Sequence, residues 1–464
     1  MNLNQLLDVS EHEAFQKAMY RLSDRCIRPH VRRLDIDLPF QVNEVPWFAG
    51  GLFLVDSTLR PASFLNYATA DYYIQDGASL LPLALLDPQA DDMVCDLCAS
   101  PGGKASAIAE RLGKSGFLLA NESIRSRVDV LRYALARTGN PCFAVSTYDP
   151  DDLASQMIRS FDAVLVDAPC SGQTLVARSK RNDNAFSDNQ IDHCVLRQQR
   201  ILQSAIRMLK PGGRLIYSTC TFAIEENESQ IQWLHEQYPD AWEPIEPKGL
   251  EPWRSPIQAG CYRLWPHRDR CAGGFAAGLR LVKEIEFNAI SIGDRTGIHR
   301  EISIGKAKQR TELDKRKGVQ EVLVGLGQFN QVTTDWKSGY AQCLTSGVFN
   351  AMRDHPGVSM DPMAVLVESG NHFVPTQGLA LLDDAIFTPR AVYALEKEHA
   401  KQFAGGASIA ISPDAEPSTS VGVRSRGVSG WAVATWNGRP LGWCKALSNR
   451  LNNHLPPWAR LTVT

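Results

Sequence analysis

The sequence predicts an α/β protein whose central domain is a parallel sheet covered on both faces by helices. Two observations carry this. Short apolar, β-branched runs at 93–98, 117–122, 142–148, 163–167 and 214–219 alternate with helical patterns at 104–112, 124–138 and 190–209. In the longest helical pattern Ile191, Val195, Ile201, Leu202, Ala205, Ile206 and Leu209 recur near helical spacing. Strands that alternate with helices pair in parallel. Ligands of such sheets bind beyond the carboxyl ends of the strands, so the residues that close each strand are the candidates for function.

A chain of 464 residues has room for two to four domains of roughly 100–200 residues each. With 44% hydrophobic and 22% charged residues it has the balance of a soluble globular protein with a substantial core. The net charge of -2 argues against a protein that coats duplex nucleic acid nonspecifically, since such proteins are basic overall. Any nucleic-acid contact must come from local patches. The cysteine count of 11 is odd, and residues 1–10 are polar and acidic, without the basic and apolar regions of a secretion signal. Free thiols in a reducing cytosol fit better than a disulfide scaffold. The apolar run 80–86, broken by Pro82, is far short of the roughly 20 residues that span a bilayer.

The elements follow in order. Residues 1–70 form an accessory domain, in which Arg21, Arg25, Arg28, His30, Arg32 and Arg33 crowd together. They read either as a solvated helix face or as an RNA-facing patch. Residues 71–284 hold the sheet. Residues 285–318 read as a basic connector with Lys306, Lys308, Arg310, Lys315, Arg316 and Lys317. Residues 319–380 form a small accessory domain and 381–464 a region of short strands, with a Gly/Ser/Pro-rich loop at 404–430 and turn signals at Asn437-Gly438 and Pro456-Pro457.

The first strand runs into Asp96-Leu97-Cys98-Ala99-Ser100-Pro101-Gly102-Gly103-Lys104 before a helix. Glycines at this turn remove the Cβ atoms that would block the approach of a ligand to the backbone. Glu122 closes the second strand twenty positions after Gly102, about where an acid receives a ribose diol in this architecture; the plainer alternative is an exposed strand-end carboxylate. Asp149 after the third strand either receives an adenine amino group or caps the next helix. No Walker phosphate loop is present, so an adenosine ligand without a polyphosphate is expected.

The fourth strand ends Asp167-Ala168-Pro169-Cys170-Ser171-Gly172 and the fifth Ser218-Thr219-Cys220-Thr221. In a parallel sheet both ends emerge on the ligand side. A thiolate beside a cationic sulfonium and helix N-termini would have a lowered pKa and be a good nucleophile. Cys26, Cys142, Cys194, Cys343 and Cys444 read as buried small hydrophobes. Cys95 and Cys98 form a C-x-x-C that falls on opposite faces of a strand with no second pair following, so no metal is expected.

On these motifs the sequence resembles the RNA 5-methylcytosine methyltransferases of the NOL1/NOP2/Sun family. The resemblance covers residues 70–283 and includes Tyr73-Ile74-Gln75-Asp76 and Arg263-Leu264-Trp265-Pro266-His267. It departs from the family's usual wording at Asp76-Gly77-Ala78-Ser79 and Gln173-Thr174. Leu441-Gly442-Trp443-Cys444-Lys445 and Asn449-Arg450-Leu451 look like the PUA-type RNA-binding end of the family's bacterial RsmF branch, which acts on small-subunit ribosomal RNA.

The resemblance implies a Rossmann-like class I methyltransferase domain with a small N-terminal α/β domain and a C-terminal PUA-like region. It implies S-adenosyl-L-methionine as cofactor, contacted by Cys98, Ala99, Ser100, Pro101, Gly102, Gly103, Lys104, Glu122, Asp149 and Asp167. It makes Cys220 the nucleophile that adds to cytosine C6, Asp167 the group that binds N3 and the exocyclic amine, and Cys170 the residue that assists release. The expected partner is RNA, foremost small-subunit ribosomal RNA or the assembled subunit, with transfer RNA second. Two rivals remain: cytosine methylation in DNA, which uses the Pro-Cys cysteine, and a noncatalytic RNA-binding assembly factor that keeps the fold.

Overall fold

The computed structural model describes residues 3, 5–33, 36–178, 183–287, 306–337, 339–370, 372–412, 417–419 and 430–461. Residues 288–305 of the expected connector (285–318), and 413–416 and 420–429 of the Gly/Ser/Pro-rich loop (404–430), thus lie outside the described residues. Two compact units divide the chain, Met1–Glu284 with Thr345–Pro362, and Ile285–Leu344 with Met363–Thr464.

The first unit opens with helix α1 (Val9–Met19), held at its start by Asp8, whose side chain accepts from Glu11 N while Glu11 reaches back. A four-stranded antiparallel sheet comes next, built from β1 (Cys26–Pro29), β2 (Val42–Glu44), β3 (Leu52–Leu54) and β4 (Tyr72–Gln75) in the order β2-β3-β1-β4. The arginine cluster is therefore neither a helix face nor a single outward patch. Arg28 lies on β1, buried against Glu110 and Ser106 of the neighbouring domain. Arg33 pairs with Asp71 and Arg32 donates to Leu112 O at 2.7 Å. Buried charges persist only when paired. Arg28 and Arg32 fasten the N-terminal sheet to the larger sheet domain, and Arg33 braces it from within.

The second sheet contains the five predicted strands, β5 (Met93–Asp96), β6 (Phe117–Asn121), β7 (Phe143–Ser146), β8 (Phe161–Asp167) and β9 (Leu209–Thr219), all parallel to one another. Antiparallel β10 (Trp242–Pro244), β11 (Cys261–Leu264) and β12 (Gly274–Leu281) extend it, giving the path β10-β12-β9-β8-β5-β6-β7 with β11 also on β12. The strand order turns back between β5 and β8, the switch point at which a cleft opens. Helices α2 (Leu65–Ala68), α3 (Leu81–Leu86), α4 (Gly103–Arg111), α5 (Val128–Ala136), α6 (Pro150–Gln156), α7 (Asp188–Met208) and α8 (Glu228–Gln237) complete the layers. The five central strands are almost wholly buried, as strands covered on both faces must be. This is the expected Rossmann-like methyltransferase architecture.

The second unit has a four-stranded antiparallel sheet (Thr333–Lys337, Tyr340–Leu344, Ala364–Ser369, His372–Pro375) and a six-stranded sheet around Trp431–Trp436 and Arg439–Ala446. Asn437-Gly438 joins the last two strands with both residues at positive φ, 49° and 72°, the geometry of a two-residue hairpin turn. Trp443 is fully buried and donates to Thr376 O at 2.9 Å. Among the described residues no helix is long and apolar enough to cross a membrane.

Candidate active site

The sheet register brings the chemical residues together. Asp167 pairs with Ser218 at the ends of β8 and β9, so the turns beyond them, 168–172 and 220–223, leave side by side. Cys170 Sγ and Cys220 Sγ are 3.1 Å apart, and the Cys220 N–H points to Cys170 Sγ at 3.3 Å. Neither cysteine is in a disulfide. Asp167 is held at both oxygens, by Lys104 Nζ at 2.7 Å and by the Ser218 hydroxyl at 2.7 Å. Lys104 lies in the first turn of α4, directly after the glycine turn. One lysine thus ties the first strand's loop to the chemical strands.

The two thiols are held at opposite ends of a shared proton. Hydrogen bonding with Cys170 and the positive charge of Lys104 pull the Cys220 thiol below its ordinary value, against burial and Asp167. Cys170 is pushed up, first by that same bond with Cys220 and then by burial. The direction that fits both is Cys170 S–H donating to a Cys220 thiolate, with the Cys220 N–H donating to Cys170 Sγ behind it. Cys220 is also the more accessible of the two.

The turn after β5 has a structure of its own. Asp96 is buried, and among the described residues neither of its carboxylate oxygens has a hydrogen-bond partner. Burial, followed by the nearby Asp167, raises it to about 7. Gly102 has φ +105°, and a Cβ there would lie 2.5 Å from Ala134 Cβ. Backbone conformation and packing against α5 thus each require the missing side chain at 102. A Cβ at Gly103 would meet Gln75 Oε1 at 3.3 Å and the Tyr73 ring at 3.4 Å, which places part of the Tyr73–Asp76 motif beside the turn. Cys98 is pushed up by burial and by Asp96, so it is no candidate thiolate. Ala99 N donates to Asn121 O, and Ser100 is buried in the same turn.

Glu122 is buried rather than an exposed strand-end carboxylate. Its oxygens are engaged by Ile124 N at 2.9 Å and by Arg127 at 3.2 Å. The Arg127 guanidinium donates in turn to Ser100 O at 2.6 Å, and the Arg127 carbonyl accepts from Ser100 Oγ, closing a loop between the ends of β5 and β6. Asp149 does cap the following helix through Asp151 N, and Arg200 of α7 grips both its oxygens at 3.1 Å. Neither Arg127 nor Arg200 stands out in the sequence, because an arginine on or beside a helix reads as solvated.

The residues after Cys220 are the least expected part of the site. Three in a row, Glu226, Asn227 and Glu228, are buried completely. Glu226 Oε2 accepts from Ser171 N at 2.9 Å and Gln198 Nε2 at 2.8 Å, while Oε1 accepts from the Ser171 hydroxyl. Asn227 joins the Thr219 hydroxyl at 2.6 Å to Thr221 O at 3.0 Å. Glu228 takes both prongs of the buried Arg263 guanidinium, which also donates to Phe222 O at 3.1 Å. Phe222 stacks on Trp265, and Phe15 of α1 meets both edge-on. An acidic run after a cysteine reads as a solvated charge cluster; only its burial reveals a scaffold.

Cys26, Cys142, Cys194, Cys343 and Cys444 are buried as expected, and so are Cys261 and Cys271. Among the described residues no cluster of His, Cys, Asp and Glu has the makings of a metal site.

Known proteins share both the sheet domain and the C-terminal region. Residues 83–280 match the family described as 16S rRNA methyltransferase RsmB/F, and residues 390–461 match the methyltransferase RsmF PUA domain. The chain is 34% identical over 294 residues to "Ribosomal RNA small subunit methyltransferase F" of Enterobacter sp. (strain 638), covering 59% of this chain and 60% of that protein. It is 33% identical over 290 residues to the protein of the same name from Cronobacter sakazakii (strain ATCC BAA-894), covering 59% and 60%. The match thus spans 60% of the length of these relatives. The solved structure of PH0851 superposes with a TM-score of 0.54 at 25% identity, covering 60% of this chain and 64% of that one. NSun6 from Pyrococcus horikoshii, solved with SFG, gives 0.53 at 19%, covering 61% and 97%, a likeness of fold.

Proposed function

We propose that the chain is an S-adenosylmethionine-dependent RNA cytosine-C5 methyltransferase acting on small-subunit ribosomal RNA, a reading supported by the match of residues 83–280 to the RsmB/F methyltransferase family and of residues 390–461 to the RsmF PUA domain. The observation that carries this reading is the pair of thiols 3.1 Å apart beside an Asp167 carboxylate gripped by Lys104.

Cytosine C5 is a poor nucleophile until a thiolate adds to C6 and makes C5 an enamine carbon. Cys220 is the thiol whose surroundings favour the thiolate, and it is the attacking group. Asp167, fixed by Lys104 and Ser218, accepts from the exocyclic amine and from N3 as N3 takes up the proton that balances thiolate addition, which holds the ring in the protonated form. Once C5 carries the methyl group, removal of the C5 proton by a base lets the Cys220 sulfur leave by β-elimination, with Cys170 assisting release. The target base must be unstacked to reach the strand ends, which favours looped or opened RNA.

The residues fit the cofactor. A buried, unpartnered Asp96 carboxylate is the kind of group that a cationic ligand satisfies. The loop Cys98–Lys104, with Glu122, Asp149 and Asp167, would hold the cofactor. Asp149, already gripped by Arg200, keeps lone pairs free for an adenine amino group. When bound, S-adenosylmethionine supplies the methyl group. The PUA domain supports RNA over DNA as the substrate.

The test is to incubate the protein with methyl-labelled S-adenosylmethionine and, separately, naked ribosomal RNA, intact small subunits and bulk transfer RNA, all from a strain lacking the gene. Label mapped to one cytosine of the small-subunit RNA is expected. Label in transfer RNA alone would keep the chemistry and overturn the substrate, and no label in any RNA would favour the noncatalytic assembly factor.

A further inference from the structure

We infer that Glu226 is a positioning residue that sets the spacing of the two thiols and thereby makes Cys220 reactive. The inference rests on the proposed covalent chemistry and adds a residue to it. Glu226 lies six positions beyond Cys220, yet its carboxylate is spent on the other cysteine's turn. It accepts from the Ser171 N–H at 2.9 Å and from the Ser171 hydroxyl. Gln198 of α7 donates to Glu226 at 2.8 Å and to Pro169 O at 3.2 Å, bracing the turn from outside. The Glu226 backbone carbonyl is anchored by the Tyr217 hydroxyl at 2.7 Å. Ser171 Oγ also meets Thr221 Oγ1 at 2.8 Å, so the residues that come after each cysteine are tied directly to one another, and the carboxylate holds the one that follows Cys170.

These donors are all buried. A buried donor that loses its acceptor must move or stay unsatisfied, and the turn that would move carries Cys170. The sulfur contact of 3.1 Å depends on that turn. Cys170 is the donor that stabilises the Cys220 thiolate, so the positioning effect of Glu226 reaches the nucleophile through Cys170, while its negative charge by itself raises both thiols.

The direction of each hydrogen bond separates a geometric role from a charge. In Glu226→Gln the amide oxygen replaces Oε2 and accepts from Ser171 N–H and Gln198. The amide NH2 replaces Oε1 and donates to Ser171 Oγ, whose proton turns to Thr221. Every connection survives without the charge. In Glu226→Ala the three bonds to the carboxylate are lost.

The experiment measures alkylation of Cys220 by iodoacetamide at pH 7 in the RNA-free protein, with the modified peptide identified by mass spectrometry. S-adenosylmethionine binding and thermal melting are followed alongside. We expect Cys220 to alkylate about tenfold more slowly in E226A, the consequence of a one-unit rise of its pKa, and no more than about 1.5-fold more slowly than wild type in E226Q. Methyl transfer by E226A should lose about 100-fold in kcat, as a misplacement of about 1 Å can cost, with the KM for RNA little changed. Wild-type alkylation in E226A overturns the proposal, as does an E226Q as slow as E226A. Should E226A fail to fold, S171A severs the hydroxyl link alone and should slow alkylation about threefold; an unchanged rate would overturn the proposal equally. Absence of methyl transfer by the wild-type protein would defeat the functional reading, while the alkylation contrast would still decide the role of Glu226.

Discussion

Cys170 and Cys220 meet sulfur to sulfur at 3.1 Å although fifty positions separate them. Each lies just beyond one of two adjacent parallel strands. The contact makes two chemically identical side chains unequal. One is buried and holds its proton; the other is more accessible and is favoured as thiolate. That inequality, and the carboxylates around it, has measurable consequences.

Replacing either thiol should have opposite effects on bound RNA. Cys220→Ala should bind S-adenosylmethionine normally, lose turnover and form no covalent RNA species. Cys170→Ala should accumulate an RNA–protein adduct that survives denaturing gel electrophoresis. Adduct formation by C220A, or none by C170A, would reverse or remove the assigned roles.

Lys104 lowers the Cys220 pKa, since its positive charge favours a nearby thiolate. Lys104→Gln removes that charge, so the Cys220 pKa must rise and the pH profile of iodoacetamide alkylation must move to higher pH. A shift of about one unit corresponds to tenfold slower alkylation below the transition. A profile that stays in place would show that hydrogen bonding with Cys170 alone sets Cys220.

Asp96 is raised to about 7 in the folded protein from an ordinary value of 3.8. Between those values the folded state holds a proton that the unfolded state has released. The stability contributed by this protonation is thus fully present below about pH 4 and is lost as pH rises through 7. Asp96→Asn removes the penalty. The cofactor-free variant should match wild type in melting at low pH and exceed it at pH 8, by a difference on the order of 4 kcal/mol. It should also bind S-adenosylmethionine more weakly. Equal pH dependence of melting in the two proteins would show that Asp96 is ionised and satisfied.

Gly102→Ala should destabilise the first unit by about 2–4 kcal/mol, from the unfavourable positive φ and the overlap with Ala134. Denaturant unfolding measures it. Adding Ala134→Gly should recover only the part due to overlap. Full recovery would mean that the backbone conformation costs nothing there.

Asp167, Cys170, Cys220, Glu122 and Asp149 are legible in the sequence because they close or closely follow short apolar runs, and Lys104 because it opens the helix after the first of these. The alternation of strands and helices depends on local pattern alone. It dictates that strand ends emerge on one side, so motifs at those ends converge whatever the details of packing. The hairpin at Asn437-Gly438 is legible for a similar reason, since positive φ at two successive positions selects those residue types.

The sequence by itself determined the order of strands and helices, the side of the sheet on which function lies and the residue types gathered there. Tertiary structure decided which charges are spent inside. Arg28, Glu226 and Glu228 have the side chains of surface residues, yet each is buried against a partner between 35 and 82 positions away. Arg200 stays exposed, yet the fold brings it to Asp149, 51 positions distant. Burial of a charge depends on desolvation and on a partner brought by the fold, and neither is encoded in local periodicity. The same holds for Gly102, whose missing side chain is explained by a helix that begins 26 residues later.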